Sequence, residues 1–250
     1  MKFVRFAEGN KALYGLVEGD GVIELRGNIF KSYAKTRKHH ALKDIRILPP
    51  CQPSKVLGLG LNYRQHAVEI NMKLPPNPLL FYKATTAIIG HNEPIIIPPN
   101  AGQVDYEGEL TVVIKDCCRD VTEADALNHV LGYTVGNDVS DRAAQRGDGQ
   151  WCRAKSFDTF CPFGPFIETD INPDNVHIET RVNGQLKQNS NTNDMIFGVR
   201  HLISFLSRSA TLLPGDIIMT GTPQGVGPIK PGDVVEISIE GIGTLRNPVK

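Results

Sequence analysis

The sequence has neither an excess of charge of one sign nor a long apolar run. Its 27 Lys and Arg residues balance 27 Asp and Glu residues, and the pI is about 7.0. Without a net electrostatic field, we expect neither nucleic acid nor an anionic membrane as a partner. No stretch reaches the roughly 18 apolar residues of a membrane span, and residues 1–6 start like a strand, without the apolar core of a signal peptide. These absences predict a soluble, cytoplasmic protein.

Cysteine is scarce and irregularly spaced. The number of cysteines is odd and no Cys-x-x-Cys pair occurs, which is typical of reduced thiols in a cytosol-like compartment. No sequence neighbour would activate any of these thiols, so we expect each to pack in the interior. The five are Cys51, Cys117, Cys118, Cys152 and Cys161.

Two glycine-rich segments lack the residues that nucleotide binding requires. Gly58-Leu59-Gly60 has no third glycine of a dinucleotide fingerprint, and residues 220–227 lack the Gly-Lys-Ser/Thr of a P-loop. The second segment could still hold an anionic group through backbone N–H donors.

What the sequence does contain is many turn residues between short apolar runs. Its 24 Gly and 17 Pro in 250 residues predict a β-rich protein of mixed class with a few helices. Residues 1–48 have the pattern of a small β-rich unit, in which the basic tract 31–46 is interpreted as a solvated helix face. The proline-rich spacer 49–53 separates a predicted N-terminal domain, 1–50, from a larger domain, 54–250.

Local motifs predict several elements of the larger domain. Asn62 is expected to cap a helix over residues 63–72, and Thr122 a short helix that ends before Gly132. Asn183-Gly184 predicts a tight hairpin. The apolar spacing within residues 194–207 predicts one amphipathic helix.

Three acids suggest a metal site. Glu107 and Glu109 would project from the same face of a strand, because strand side chains alternate with a period of two. Such a pair requires a positive partner between its carboxylates, either an Arg or Lys or a bound cation. Asp138 ends another strand-like run, and three carboxylates suit a hard ion such as Mg²⁺ or Mn²⁺. The alternative is an edge strand whose acids face water.

Two further features have both an ordinary and a functional interpretation. His66 and Glu69 would share a helix face, either as a surface salt bridge or as a base oriented by a carboxylate. Lys155 could be a surface lysine, but it lies in an apolar, aromatic segment where an ammonium needs an anion.

Seven blocks of sequence resemble the fumarylacetoacetate hydrolase family. The similarity covers roughly residues 54–250 and points to the subgroup of acylpyruvases, oxaloacetate decarboxylases and 2-hydroxyhepta-2,4-diene-1,7-dioate isomerases. The blocks are Gly-Leu-Asn-Tyr with His66 and Glu69, Asp-Tyr-Glu-Gly-Glu-Leu at 105–110, Gly-Asn-Asp-Val-Ser at 136–140, Ala-Lys-Ser-Phe-Asp-Thr-Phe at 154–160, Asn-Gly-Gln at 183–185, Thr-Gly-Thr-Pro-Gln-Gly-Val-Gly at 220–227 and Glu-Gly-Ile-Gly-Thr-Leu at 240–245.

The resemblance implies a fold, a site and an assembly. The fold would be a mixed β-sandwich roll, usually a homodimer, with the metal inside the roll. Glu107, Glu109 and Asp138 would hold Mg²⁺, with Mn²⁺ as the other candidate ion. The resemblance assigns catalysis to His66, Glu69 and Lys155, and substrate binding to Arg142, Gln145 and Thr222. One departure is that Ser140-Asp141-Arg142-Ala143 replaces the usual Ser-Ala-Arg-Asp, so Arg142 keeps its register but has no Asp after it.

The expected activity is cleavage of the C3–C4 bond of a β-keto (2,4-dioxo) acid. The metal would chelate the substrate's carboxylate and 2-oxo oxygens and stabilise the enolate. Oxaloacetate decarboxylation and acylpyruvate hydrolysis are the leading reactions. An isomerase or tautomerase of 2-hydroxy-diene-dioates or oxaloacetate is the first alternative, and a non-catalytic metabolite- or metal-binding protein is the second.

Overall fold

In the computed structural model, which describes all 250 residues, strands predominate and helices are few and short. The predicted β-rich, mixed fold class is therefore confirmed. The first ten strands are β1 (Lys2–Glu8), β2 (Lys11–Glu18), β3 (Gly21–Asn28), β4 (Ser32–Ala41), β5 (Arg46–Ile47), β6 (Val56–Leu59), β7 (Leu80–Lys83), β8 (Ile88–Ile89), β9 (Val104–Tyr106) and β10 (Gly108–Ile114). The others are β11 (Val130–Asn137), β12 (Ser140–Asp141), β13 (Cys161–Glu168), β14 (His177–Val182), β15 (Gln185–Asn191), β16 (Ile217–Met219), β17 (Gly227–Pro228), β18 (Val234–Ile239) and β19 (Gly243–Pro248).

The helices are short and lie mainly in the connections between strands. The α-helices are α1 (Arg64–Glu69), α2 (Arg142–Gly147), α3 (Cys152–Lys155) and α4 (Val199–Ser209), and 3₁₀ turns cover Leu42–Asp44, Thr85–Ala87, Ala126–His129 and Thr192–Asp194. No helix is both long and apolar enough to cross a membrane.

One large sheet runs through the whole chain. Its strand order is β4-β3-β2-β1-β13-β11-β10-β16-β6-β7, with β5 paired to β1 and β8 to β13. The N-terminal strands join this sheet where β1 pairs antiparallel with β13, from Lys2 opposite Glu168 to Val4 opposite Phe166. The N-terminal unit thus extends the same sheet that carries the acids of the larger domain.

Two smaller sheets complete the layers. The four-stranded sheet β15-β14-β18-β19 and the three-stranded sheet β12-β9-β17 lie beside the large one. The main core contains 34 buried residues, among them Leu110, Val112 and Ile114 of β10. Val113, on the opposite face of β10, belongs to a second cluster of 13 residues. Because both faces of β10 are covered, its run Gly108–Ile114 is buried throughout.

Close approach between layers explains one glycine of this strand. A Cβ at Gly108 would lie 2.4 Å from Thr180 Oγ1 of the four-stranded sheet. Only glycine lets β10 pass at this distance, so the acids on either side of Gly108 are held in the interior.

Several local predictions were wrong, each because tertiary contacts override the local signal. The basic tract 31–46 is mostly strand β4, since it pairs with β3. Asn62 caps no helix, because its side chain bonds to Phe197 N and to Thr220 O instead, and α1 is shorter than predicted. Thr122 closes a turn before a 3₁₀ segment, and Gly132 lies inside β11.

The remaining local predictions have mixed outcomes. The hairpin at Asn183-Gly184 is confirmed, with both residues at positive φ between β14 and β15. The amphipathic helix starts at Val199, not at residue 194. All five cysteines are free, as predicted. Cys117 and Cys152 are exposed, so the prediction that every cysteine packs in the interior was wrong for these two.

Candidate active site

Three carboxylates converge in the interior at the end of the β10–β11 pair. Glu107, Glu109 and Asp138 each contribute an oxygen, and these oxygens lie within 4.8 Å of one another. All three residues are buried, with at most 6% of their surface exposed. The alternative of acids facing water is therefore wrong, and the triad could hold a metal ion.

The backbone around Glu107 explains how the acids meet. Glu107 lies in the one-residue gap between β9 and β10, where Asn137 Oδ1 accepts a hydrogen bond from its N–H at 3.0 Å. Glu107 O in turn accepts from Asp138 N at 2.9 Å. The ends of β10 and β11 are thereby locked in register, which brings Asp138 beside the two glutamates.

Two buried lysines face the triad. Lys155 Nζ donates to Glu107 Oε2 at 2.9 Å and to Asp138 Oδ2 at 2.5 Å. Lys83 Nζ donates to the other oxygen of Asp138. Lys155 is thus not a surface lysine, and its charge is compensated by two carboxylates. Burial alone would lower its pKa, but Asp138 and Glu107 outweigh burial and raise it.

The acids of the triad differ in their electrostatic surroundings. Burial alone would raise the pKa of Glu107, but Lys155 and Arg142 hold it well below the ordinary range. The pKa of Glu109 lies well above its usual value because of burial and the nearby charges of Asp138 and Glu107.

Glu109 also has an unsatisfied atom. Its Oε2 accepts from Gly221 N at 2.7 Å, whereas its Oε1 is buried with no hydrogen-bond partner. A buried carboxylate oxygen without a partner is costly. A divalent cation would satisfy it, so the residues present fit a hard, oxygen-seeking ion.

Arg142 is held by groups that the sequence did not indicate. Its Nε donates to Asp105 Oδ2 at 2.7 Å, Nη2 to Glu107 Oε1 at 2.5 Å and Nη1 to Gln145 Oε1 at 2.7 Å. Asp105 therefore supplies the support that the shifted acid could not. Asp141 instead caps α2 by accepting from Ala143 N and Ala144 N. Gln145 also lines the central cavity.

A His–Glu pair lines the same cavity as Glu107 of the triad. His66 Nδ1 is 2.8 Å from Glu69 Oε2, and Glu69 Oε1 accepts from Gly225 N at 3.0 Å. Glu69 thus connects α1 to the loop at residues 220–227. With Nδ1–H directed at Glu69, the imidazole has its other nitrogen, Nε2, available as a proton acceptor.

One cavity of about 480 Å³ connects these groups. It is lined by the predicted residues His66, Glu69, Glu107, Arg142, Gln145, Lys155 and Thr222. The structure thus brings seven of the nine predicted site residues to one cavity. The other two, Glu109 and Asp138, lie beside Glu107. The roles of all nine residues in binding and catalysis remain predictions.

Thr222 is more restricted than predicted. Its hydroxyl donates to Gly108 O at 2.9 Å and accepts from Gln188 Nε2 at 2.8 Å. The side chain therefore has no free proton to donate to a substrate, and it fixes the loop beside β10.

Lys83 and Asp105 belong to the site, but the sequence motifs predict no role for either residue. Lys83 ends strand β7 and is buried. A signal was available, because a lysine at the end of an apolar strand needs a buried anion if that strand is central.

Comparison with known proteins identifies the family. Residues 55–250 match the model described as fumarylacetoacetate (FAA) hydrolase C-terminal. The chain belongs to the fumarylacetoacetate hydrolase family. Residues 1–50 match a second model, described as Rv2993c-like, N-terminal.

Relatives and solved structures agree with this membership. The chain is 46% identical to the crystal structure of a Mycobacterium smegmatis 5-carboxymethyl-2-hydroxymuconate delta-isomerase, with a TM-score of 0.94, and the match covers 100% of this chain and 99% of the other. It is 38% identical to a Sphingomonas sp. 2,4-didehydro-3-deoxy-L-rhamnonate hydrolase, over 100% of this chain and 96% of the relative. It is 44% identical to the mitochondrial oxaloacetate tautomerase fahd2 of Xenopus laevis, over 81% of this chain and 67% of the relative. As a member of this family the protein is an enzyme.

Proposed function

We propose that this protein is a Mg²⁺-dependent enzyme that cleaves the C3–C4 bond of 2,4-dioxo acids, with acylpyruvate hydrolysis as its principal reaction. One arrangement carries the proposal. A buried carboxylate triad with an unpaired oxygen on Glu109 reaches a cavity through Glu107, and the His66–Glu69 pair lines the same cavity. A metal site and an oriented base facing one space suit activation of water against a chelated substrate.

The charges around the triad support an anionic substrate. The acids around the triad outnumber the cations by one: Lys83, Lys155 and Arg142 face Asp105, Glu107, Glu109 and Asp138. A divalent cation would turn this deficit into one surplus positive charge. That charge would match the carboxylate of a 2-oxo acid.

Glu107, Glu109 and Asp138 would hold the cation, and Mn²⁺ is the other ion that their oxygens suit. When bound, the ion would supply Lewis-acid polarisation of the substrate's 2-oxo and carboxylate oxygens.

The chain's own residues would then handle the protons and the charge. His66 Nε2 would accept a proton from the water that attacks C4, and Glu69 would stabilise the resulting imidazolium. The electron pair of the C3–C4 bond would pass to the pyruvate enolate, and a proton at C3 would complete pyruvate. Water and the acylpyruvate are thereby converted to pyruvate and a carboxylic acid. Lys155, which lines the cavity, would add positive charge near the enolate.

The names of the relatives agree with substrates of this kind. The Sphingomonas sp. hydrolase is named for a compound with oxo groups at C2 and C4, and the Xenopus laevis protein for oxaloacetate. The second name favours tautomerisation as a second candidate reaction. It would use the same groups to move one proton between C3 and the C2 oxygen without breaking a C–C bond. Decarboxylation of oxaloacetate would need the metal but no activated water. A homodimer remains a prediction of the family resemblance.

The decisive experiment is an assay of the purified protein stripped with a chelator and reloaded with Mg²⁺ or Mn²⁺. Acetylpyruvate, oxaloacetate and a hydroxymuconate-type diacid would be followed by ultraviolet absorbance and by product chromatography. We expect pyruvate and acetate from acetylpyruvate only in the presence of metal. Metal-independent turnover, or no turnover of any of these acids, would contradict the proposal.

A further inference from the structure

The outer part of the cavity has an apolar wall. It is formed by six side chains from the connection around α1, the start of α3 and the glycine-rich loop: Leu61, Ile70, Met72, Leu79, Trp151 and Val226. Ile70, Met72 and Leu79 are 43%, 53% and 40% exposed. Large apolar side chains grouped and exposed beside a cavity mark a surface that is covered when a ligand binds.

Trp151 places this wall next to the reacting end of the cavity. Trp151 O accepts from Lys155 N at 3.1 Å, so the indole starts the helical turn that ends at Lys155. The ring packs on Gly60, where an added Cβ would lie 2.5 Å from it, and against Phe81 at 5.7 Å between centroids. The indole is therefore a fixed surface on the residue that lies one helical turn before Lys155 in the chain.

Each basic side chain in the lining of the cavity already has an acidic partner. The basic groups in the lining are His66, Arg142 and Lys155. His66 faces Glu69, whereas Arg142 and Lys155 each bond to Glu107 and to a further acid. The apolar wall has no cation of its own. A carboxylate placed against it would lose hydration without gaining a partner.

We infer that the wall receives an uncharged, apolar acyl chain, so that the preferred substrate is a monocarboxylic acylpyruvate with an alkyl group beyond C4. This inference rests on the proposed function and narrows it. It distinguishes the preferred substrate of this protein from the diacids that appear in the names of some relatives. The volume of about 480 Å³ agrees, because it lies within the roughly 300–1,000 Å³ of cavities that enclose larger ligands than oxaloacetate.

A matched pair of substrates tests the inference. Butyrylpyruvate and succinylpyruvate differ only in a terminal methyl against a terminal carboxylate. We expect kcat/KM with Mg²⁺ to be at least about tenfold higher for butyrylpyruvate. Butyrylpyruvate should also exceed acetylpyruvate by roughly fifteenfold, since it has two more methylenes and each buried methylene contributes about fourfold.

Variants of the wall supply the second measurement. Met72→Lys introduces a cation at an exposed position, and we expect it to shift the butyryl-to-succinyl ratio about tenfold toward succinylpyruvate. Leu74→Lys is the control, because Leu74 is 52% exposed in the same segment but does not line the cavity. It should leave the ratio unchanged. Unfolding curves of both variants would show that each is folded.

The outcomes distinguish a failure of the proposed function from a failure of the inference about the acyl chain. No metal-dependent turnover of any of these acids would remove the proposed function itself. Turnover with an equal or higher kcat/KM for succinylpyruvate would overturn the inference and leave the function intact. If Lys73, beside Met72, supplied a cation to the wall, Lys73→Ala would abolish such a preference for succinylpyruvate, and the apolar assignment would again be wrong.

Discussion

Replacing Glu109 with glutamine should have opposite effects on the metal-free and the metal-loaded protein. In the metal-free protein, Glu109 is fully buried beside Asp138 and Glu107, and these surroundings raise its pKa well above the usual value. The folded chain therefore holds a proton on Glu109 more tightly than the unfolded chain does. Glutamine carries no charge, and its amide oxygen can still accept the hydrogen bond from Gly221 N.

The gain in stability that Glu109→Gln gives the metal-free protein has an upper limit. A carboxyl that stays protonated at pH 7 costs about 1.4 kcal/mol for each pH unit above its ordinary pKa of 4.5, hence at most about 3 kcal/mol. Glu109→Gln should therefore raise the free energy of unfolding of the metal-free protein by up to about 3 kcal/mol. For a chain of this size the corresponding rise in Tm is up to roughly 10 °C.

The direction of the Glu109 pKa shift also determines how the effect of the substitution on stability depends on pH. A group whose folded-state pKa is raised favours the fold below its unfolded pKa, and that contribution is lost as pH rises toward the folded pKa. The difference in Tm between the variant and the parent should thus be near zero at about pH 4.5 and grow toward pH 7.

Metal should reverse the order of stability. A cation at 1,000 times its Kd stabilises the parent by about 4.1 kcal/mol, which exceeds the gain of up to about 3 kcal/mol from the substitution, whereas the variant lacks one of the three carboxylates and should gain little. The assay is thermal unfolding with a chelator and with a Mg²⁺ series, alongside turnover of acetylpyruvate, which we expect the variant to lose. A variant less stable than the parent without metal, or one that keeps the full Mg²⁺ shift, would refute the reasoning.

Three further substitutions test the His66–Glu69 pair and Lys83. His66→Ala should nearly abolish acetylpyruvate hydrolysis, by about 10²–10⁴ in kcat, but spare more of oxaloacetate decarboxylation, with Glu69→Gln milder in the same order; equal losses on both substrates would show that the dyad serves a shared step. Lys83→Met removes one of two buried partners of Asp138 and should lower the free energy of unfolding by about 3–5 kcal/mol in urea titrations with a chelator; an unchanged midpoint would show that Asp138 does not need Lys83.

The acids of the site could be predicted from sequence because strand alternation and buried charge are local signals. Glu107 and Glu109 are two residues apart, and their mutual repulsion already required a cation. Their partners could not be found in this way. Lys83 lies 55 positions from Asp138 and Asp105 lies 37 from Arg142, so only the folded sheet brings them together.

The local errors have a common physical origin. The tract 31–46 is basic and would suit a helix, but pairing with β3 makes residues Ser32–Ala41 a strand, because a strand gains its hydrogen bonds from its neighbour. Asn62 has a typical capping side chain, yet that side chain forms hydrogen bonds with backbone groups of Phe197 and Thr220, which are far away in sequence. Secondary-structure propensity describes a segment in isolation, and in these two segments the tertiary contacts determine the structure instead.

The bridge made by Glu69 has a kinetic consequence. One of its oxygens accepts from Gly225 N of the loop, and the other lies 2.8 Å from His66 Nδ1. His66 and Glu69 both lie on α1, so an outward swing of this helix breaks the contact with Gly225 but leaves the pair intact. Opening therefore depends on one hydrogen bond to the loop, and the oriented pair leaves and returns as one unit.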